Sequence, residues 1–206
     1  MNKRIIRIIL FGIIVILGAQ VSNAQSAQEI LNKAASKING ASSVKADFNM
    51  KINGQSCTGK LVAKGTKFAL TSSVGSSWYN GKSMWSYSPS NNETTVINPS
   101  AAELIEVNPL MYAKNSGNFT ATFSKNKTAG KHTVVLVPKT KSSGLKNVML
   151  VLNASTYLPE KVVVTPSSGS AITVTISNLK LNASVSDNDF NYPKSKYPKA
   201  KIIDLR

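Results

Sequence analysis

The sequence predicts a mainly β protein of the α+β class, folded as an incomplete antiparallel β-barrel or strongly curved sheet. Three observations predict this fold. About ten or eleven short segments alternate apolar with polar residues and are separated by short turns. One amphipathic helical segment precedes them, and a second helical segment interrupts them. We therefore expect an N-terminal helix and a central helical lid on the sheet.

The first residues have the order of a secretory signal peptide. Lys3, Arg4 and Arg7 are basic, residues 5–17 are mostly Ile, Leu and Val, and residues 22–24 are Ser-Asn-Ala. This pattern predicts a signal peptide over residues 1–24 that is cleaved, followed by a single domain over residues 25–206. The alternative is an uncleaved N-terminal anchor, which the shortness of the apolar core disfavours.

The chain is strongly basic, with a net charge of +16. Without the three basic residues of the leader, 22 basic and 9 acidic residues remain, a net charge of +13. Every basic residue after the leader is Lys except Arg206, so the planar fork that reads bases and phosphates is almost missing and nucleic acid is not expected as a partner. The lysines are spread from Lys33 to Lys201 without a dense tract. They indicate a solvated surface, and they also suit anionic surfaces or acidic partners.

An amphipathic helix is predicted directly after the leader. Ser26 and Glu29 form a capping box, and Gly40 supplies a C-terminal stop. Apolar residues between them recur at helical spacing, namely Ala27, Ile30, Leu31, Ala34, Ala35 and Ile38. This apolar stripe requires a partner surface.

The strands begin after this helix. Residues 44–52 alternate apolar and polar side chains, and Asn53-Gly54 is a strong hairpin signal that leads into a returning strand. Further strands are predicted at residues 67–73, 76–79, 83–87, 94–98, 118–124, 131–138, 146–153, 160–165 and 171–181. The Lys- and Pro-rich end, residues 190–206, is predicted to run over the surface. Such closely spaced strands are typical of antiparallel neighbours.

The predicted lid lies in the middle of the chain. Ser100 and Glu103 form a second capping box, and Asn108-Pro109 restarts a helical turn. Apolar residues cluster on these two short helices, namely Leu104, Ile105, Val107, Leu110 and Met111. They indicate either a flap over a cavity or an ordinary crossover packed on the core.

The residue inventory disfavours catalysis and metal binding. His132 is the single histidine, no Gly-x-Ser-x-Gly motif occurs, and Cys57 is the single cysteine. A catalytic triad or a zinc site therefore lacks parts. No close carboxylate pair, phosphate loop or dinucleotide motif is present either. We predict a protein that is not an enzyme, with no metal and no cofactor, in which His132 faces solvent and Cys57 is a small buried apolar residue.

Large apolar side chains follow the predicted inner face of the sheet. The candidates for the lining of an apolar, lipid-binding space are Phe48, Met50, Leu61, Phe68, Leu70, Trp78, Trp85 and Tyr87. The same residues also suit a filled core, and periodicity does not distinguish the two.

Several motifs resemble one known family, in order and over most of the chain after the leader. Residues 79–89, Tyr-Asn-Gly-Lys-Ser-Met-Trp-Ser-Tyr-Ser-Pro, resemble the Asp-Gly-Lys-x-Leu-Trp-x-Tyr-x-Pro segment of the outer-membrane lipoprotein carrier (LolA-like) family. The Ala-Asp-Phe of residues 46–48 and the Gly-Lys-Leu of residues 59–61 are similar to the family's first strands. Residues 135–139 and 190–193 are similar to its Leu-x-Pro-Lys strand end and its closing Phe-x-Phe-x-Pro.

This resemblance implies a periplasmic protein, expected to be a monomer, with a lid over a hydrophobic cavity. Family members accept acylated lipoproteins from an inner-membrane lipoprotein-releasing ABC transporter, hold their acyl chains and pass them to the outer membrane. The resemblance does not identify the acceptor there. The two short capped helices predict that Leu104, Ile105, Leu110 and Met111 join the lipid-binding residues, and the resemblance implies that Lys64 gates the lid. The alternative is a periplasmic lipid-binding or envelope-stress-sensing module on the same scaffold, without a transport role.

Overall fold

The structure is a computed structural model that describes residues 25–101, 103–104, 108, 112, 116–140 and 144–206. The predicted signal peptide, residues 1–24, lies outside the described residues. Within the described part, no helix combines the length and apolar character that a membrane span needs.

The predicted N-terminal helix is confirmed as α1, Ala27–Asn39. Its capping box is formed on both sides: the Ser26 hydroxyl accepts from the Glu29 amide at 3.1 Å, and the Glu29 carboxylate accepts from the Ser26 amide at 3.2 Å. The apolar stripe is buried, with Ile30, Leu31 and Ala34 fully shielded from solvent. The helix therefore owes its place to tertiary packing as well as to its cap.

The described strands form one sheet that does not close on itself, which confirms the predicted incomplete barrel. Along the chain they are β1 Val44–Ile52, β2 Gln55–Lys64, β3 Lys67–Ser72, β4 Ser76–Tyr79, β5 Met84–Ser88, β6 Glu93–Ile97, β7 Phe119–Phe123, β8 Lys131–Pro138, β9 Leu145–Asn153, β10 Pro159–Pro166, β11 Ile172–Leu181 and β12 Lys201–Asp204. Their order across the sheet is β12-β6-β5-β4-β3-β2-β1-β11-β10-β9-β8-β7.

The hairpin between β1 and β2 forms at the predicted Asn-Gly pair. Asn53 and Gly54 both have positive φ, 50° and 79°, and Ile52 pairs with Gln55 across the turn. Two consecutive residues with positive φ form a hairpin turn whose twist matches that of the flanking strands, and Asn and Gly adopt positive φ most readily. This turn fixes the register that places Phe48 opposite Gly59.

The C-terminal segment differs from the prediction of a surface tail. Phe190 is fully buried, and β12 pairs with β6 in the parallel direction, with Ile202 opposite Thr94. Two short 3-10 helices, Asp187–Phe190 and Lys194–Lys196, lead into this strand. The prediction failed because β12 is short and acquires its strand partner only through tertiary contact.

Part of the predicted lid is described. Residues 101, 103, 104 and 112 are helical, and the second capping box is present, with Glu103 accepting from the Ser100 amide at 2.7 Å. Leu104 packs against the core and Tyr112 is buried within it. Ile105, Leu110 and Met111 lie outside the described residues, so their place on the lid stays a prediction.

Candidate functional site

Helix α1 fills only one end of the concave side of the sheet. Val44 and Ala46 at the start of β1, and Leu61 and Ala63 on β2, belong to the same buried cluster as the helix. Further along the same face, the wall residues Phe48, Met50 and Leu70 are only half-buried. They face a cavity of about 530 Å³. The structure therefore contains both a filled core and a cavity, on one face of one sheet.

The cavity is lined mostly by apolar side chains from distant strands. On β1 and β11, Met50 lies opposite Val174, which in turn lies opposite Val162 of β10. The apolar lining residues are Phe48, Met50, Leu70, Val74, Tyr112, Leu145, Val164, Pro166, Ile172 and Val174. Smaller residues complete the wall, namely Ser72, Gly75, Ser76, Ser77 and Gly144. Among the described residues, this lining contains no charged side chain, so the space suits an apolar ligand.

Gly59 leaves room for the Phe48 ring on the cavity wall. A Cβ atom at Gly59 would lie 2.8 Å from Cε1 of Phe48, and closer still to Cζ of that ring and to the carbonyl oxygen of Thr71. The absence of a side chain therefore lets the ring cross over β2. The pairing of Phe48 on β1 with Gly59 on β2 therefore sets the position of the ring.

Five of the predicted lining residues lie on the concave face, but they divide into two groups. Phe48, Met50 and Leu70 line the cavity. Leu61 and Phe68 are 3% and 1% exposed and belong to the filled core, where the Phe68 ring packs on Tyr79 at 5.7 Å. Leu61 and Phe68 share the buried cluster that includes α1 and do not line the cavity.

Trp78, Trp85 and Tyr87 lie on the opposite face of the sheet, which corrects their predicted inner-face position. Trp78 pairs with Ala69 and with Trp85, whereas the neighbouring inner residue Tyr79 pairs with Phe68. The C-terminal segment covers this aromatic group: Tyr192 lies 5.6 Å from the Trp78 ring, and Tyr197 lies 4.1 Å from the Tyr87 ring. These aromatic residues hold the C-terminal segment on the outer face.

Several lining residues were not predicted, namely Tyr112, Leu145, Val164, Ile172 and Val174. All except Tyr112 belong to strands β9 to β11, which were predicted but not assigned a face. The alternation of Ile172, Val174 and Ile176 with threonines along β11 was the available signal, whereas β10 has three consecutive valines and does not alternate. Assigning it to the cavity required knowing that β11 pairs with β1.

Lys64 contacts the C-terminal segment. Its ammonium group donates to Oδ1 of Asp187 at 3.2 Å, and Lys67 lies 3.4 Å from the same oxygen. Lys64 also lines a small pocket with Gly65 and Asn108, which places it beside the described part of the lid. Its predicted gating role stays a prediction, because the residues that flank Asn108 lie outside the described part.

The ion pair at Asp187 predicts a weak dependence of stability on acid. The hydrogen bond from Lys64, then that from Lys67, lowers the pKa of the Asp187 carboxyl below its ordinary value of 3.8. A lowered pKa contributes stability that is present above the ordinary value and is lost as the pH falls below it. We expect Asp187→Asn to lower the melting temperature slightly at pH 7, because the pair is exposed, and to have a smaller effect at about pH 2. Melting curves across this range measure both, and an equal effect at the two pH values would contradict the assignment.

No group of metal-ligating side chains occurs in the described part of the chain. His132, predicted to face solvent, is instead half-buried opposite the buried Leu152 and stacks on Tyr157, with ring centroids 5.8 Å apart and planes at 12°. Cys57 is buried, as its strand position predicts. Both side chains therefore have packing roles.

Comparison with known proteins adds a family and a fold. A family model described as outer membrane lipoprotein carrier protein LolA matches residues 17–169. A search of curated proteins gives no significant match. An uncharacterized conserved protein from Thermus thermophilus has a similar structure, with a TM-score of 0.59 and 14% identity over 87% of this chain and 99% of that chain. That likeness supports the fold alone.

Two further solved structures are similar to this chain with lower TM-scores. A LolA superfamily protein from Nitrosomonas europaea gives a TM-score of 0.45 at 16% identity, over 82% of this chain and 99% of that chain. A chain of the MucA/MucB complex of Pseudomonas aeruginosa gives 0.43 at 14% identity, over 81% of this chain and 60% of that chain.

Proposed function

This chain belongs to the family of the outer membrane lipoprotein carrier protein LolA, and from that premise we propose that it carries the acyl chains of lipoproteins across the periplasm. The observation that carries the proposal is the apolar cavity beside α1. Its volume of about 530 Å³ lies within the range of roughly 300–1,000 Å³ that small-molecule sites occupy. The family is not known for catalysis, which agrees with a role in binding.

The apolar wall provides the binding energy for such a cargo. Each CH₂ group moved from water into a dry site contributes about 0.8 kcal/mol, so an acyl chain gains affinity in proportion to its buried length. Phe48 and Met50 suit this task because an aromatic ring and a flexible thioether adapt to a chain without fixed shape. An inner-membrane lipoprotein-releasing ABC transporter would load the cavity, and an acceptor at the outer membrane would empty it.

The direct test is recovery of the cargo with the protein. Protein purified from the periplasm should carry acylated lipoprotein, and protein freed of lipid should bind a fluorescent long-chain fatty acid. Capric, myristic and stearic acid form a matched series, in which affinity should rise with chain length. Binding of free fatty acid without recovery of lipoprotein would favour a lipid-binding or sensing module. Binding of neither would overturn the carrier proposal.

A second prediction concerns the lid. Leu104 is half-buried against the core, so Leu104→Glu should loosen the predicted lid from the core. The apolar contact that it removes is worth roughly 1.5 kcal/mol, so fatty-acid binding should weaken by up to about tenfold. Lys64→Leu should change the rate of uptake or release while the fold survives, because it removes the ammonium group from the small pocket that Lys64 and Asn108 both line. Stopped-flow fluorescence measures both rates. Unchanged binding by Leu104→Glu would contradict a lid at this position, and unchanged rates in Lys64→Leu would contradict its gating role.

A further inference from the structure

The sheet gathers lysines that are far apart in the chain onto one outer face. Lys45 and Lys51 alternate with the inward-facing residues of β1, and Lys45 lies directly opposite Lys180 of β11. On the other side of β1, Lys60 of β2 lies opposite Asp47. Beyond β11, Lys161 of β10 lies opposite Thr175 of β11. Since directly opposed residues share a face, these lysines form one surface across four neighbouring strands. We call Lys45, Lys51, Lys60, Lys161 and Lys180 the basic face.

No lysine of the basic face forms an ion pair within the described part of the chain, and the one carboxylate within the face, Asp47, offsets only one of the five charges. The ion pairs there involve other cations, namely Lys64, Lys67, Lys131, Lys201 and Arg206. Asp47, the acidic residue within the face, accepts a hydrogen bond from the side-chain amide of Asn178 at 2.7 Å. Like charges directly opposite each other, as at Lys45 and Lys180, destabilise a sheet. An anionic partner outside the chain would remove this repulsion.

An apolar strip adjoins the basic face. On the outer side of β8, β9 and β10, Val163 lies opposite Met149, which lies opposite Val135. Val151 lies opposite Lys161, so the strip begins where the basic face ends. Val137 continues it and is 46% exposed. The C-terminal aromatic residues cover the outer face at Trp78 of β4 and Tyr87 of β5. Within the described part of the chain, the basic face and the apolar strip together form the uncovered part of the outer face.

We propose that this uncovered outer face, with the five lysines of the basic face beside the apolar strip, docks the protein on an anionic phospholipid surface. Lysine is a compact, strongly hydrated charge without the rigid fork of arginine, and it suits a fluid layer of phosphate headgroups better than a fixed protein site. The adjoining apolar strip suits the boundary between headgroups and acyl chains. The cavity lies on the other face of the sheet, so docking leaves it unobstructed. This inference concerns a different surface from the cavity and does not depend on acyl-chain binding.

Sedimentation with phospholipid vesicles tests the docking. The purified protein should bind vesicles of phosphatidylcholine with one third phosphatidylglycerol at low salt, and not vesicles of phosphatidylcholine alone. Each lysine near such a surface adds about 1 kcal/mol, or about fivefold in affinity, so the triple variant Lys51→Gln, Lys60→Gln, Lys180→Gln should bind about a hundredfold more weakly. Raising the salt concentration should weaken the wild type because it screens these charges.

A matched variant separates the face from net charge. Lys37, Lys82 and Lys199 are exposed and lie on α1, the turn after β4 and the C-terminal segment. Changing these three to Gln removes the same charge and should reduce vesicle binding far less. Val137→Ser should reduce binding several-fold without changing charge, because it removes an apolar contact from the strip. Equal loss of vesicle binding in the two triple variants would overturn the proposal. The absence of binding to anionic vesicles at low salt would also overturn it, and would favour an acidic protein as the partner of the basic face.

Discussion

Leu70→Asp should abolish most acyl-chain binding while the protein stays folded. Leu70 is a half-buried residue of β3 whose side chain lines the cavity. A carboxylate there faces hydrocarbon once a chain is bound, and charges in hydrocarbon cost about 3 kcal/mol even where they find partial relief. Affinity for a long-chain fatty acid should therefore fall by about a hundredfold. In the empty cavity water reaches the carboxylate, so the fold tolerates the substitution.

The matched control is the next residue of the same strand. Thr71 points to the outer face, where it pairs with Lys60, so Thr71→Asp adds the same charge to β3 outside the cavity. Fluorescence titration with the fatty-acid series should give wild-type affinity for this variant. Circular dichroism should show both variants folded. A folded Leu70→Asp protein with wild-type affinity would place the ligand elsewhere, and the cavity would no longer support the proposed function.

Helix α1 and the first hairpin could be predicted from the sequence because each depends on interactions between residues close together in the chain. The capping box at Ser26 and the apolar spacing after it predict α1 to within a residue of its ends. The alternation in β1 and the Asn53-Gly54 turn predict the first hairpin, since both depend on neighbouring residues only. The motifs carried enough of the rest to identify the family, which the match over residues 17–169 supports.

The face of a strand is harder to predict because it depends on the register that a loop sets. Between β3 and β4 the loop brings Thr71 opposite Ser76, which turns Tyr79 inward and Trp78 outward. A shift of one residue would reverse both, and the composition of residues 73–75 does not reveal it. The predicted inner position of Trp78 and its partners failed for this reason.

Features built from distant strands could be predicted only in part. The lysines of the basic face are spread along the sequence from Lys45 to Lys180, and only the pairing of β1 with β11 brings these two opposite each other. Leu61 and Phe68 likewise belong to the buried cluster that includes α1, whereas Phe48 lines the cavity. Apolar alternation is identical in both stretches, so it could not distinguish a filled core from an open wall.

Gly59→Ala should destabilise the protein by about 3 kcal/mol, a large change for a single methyl group. A β-carbon at this position meets two atoms at once, the ring of Phe48 and the backbone carbonyl oxygen of Thr71. The ring can turn away, but the carbonyl is fixed by the pairing of β2 with β3. Overpacking of a well-packed site costs roughly 1–3 kcal/mol, and a clash with backbone belongs at the upper end of that range. A displaced Phe48 ring would also enter the cavity, so fatty-acid affinity should fall.

Urea unfolding separates this effect from a general cost of replacing glycine. Gly117 has open space at its β-carbon position and no positive φ, so Gly117→Ala should change the free energy of unfolding by less than about 0.5 kcal/mol. The double variant Phe48→Leu, Gly59→Ala should recover little stability, because it relieves the ring and leaves the clash with Thr71. If Gly59→Ala proved as stable as Gly117→Ala, the close approach of the Phe48 ring and the Thr71 carbonyl oxygen to Gly59 would be wrong. The position of Phe48 on the cavity wall would then be wrong as well.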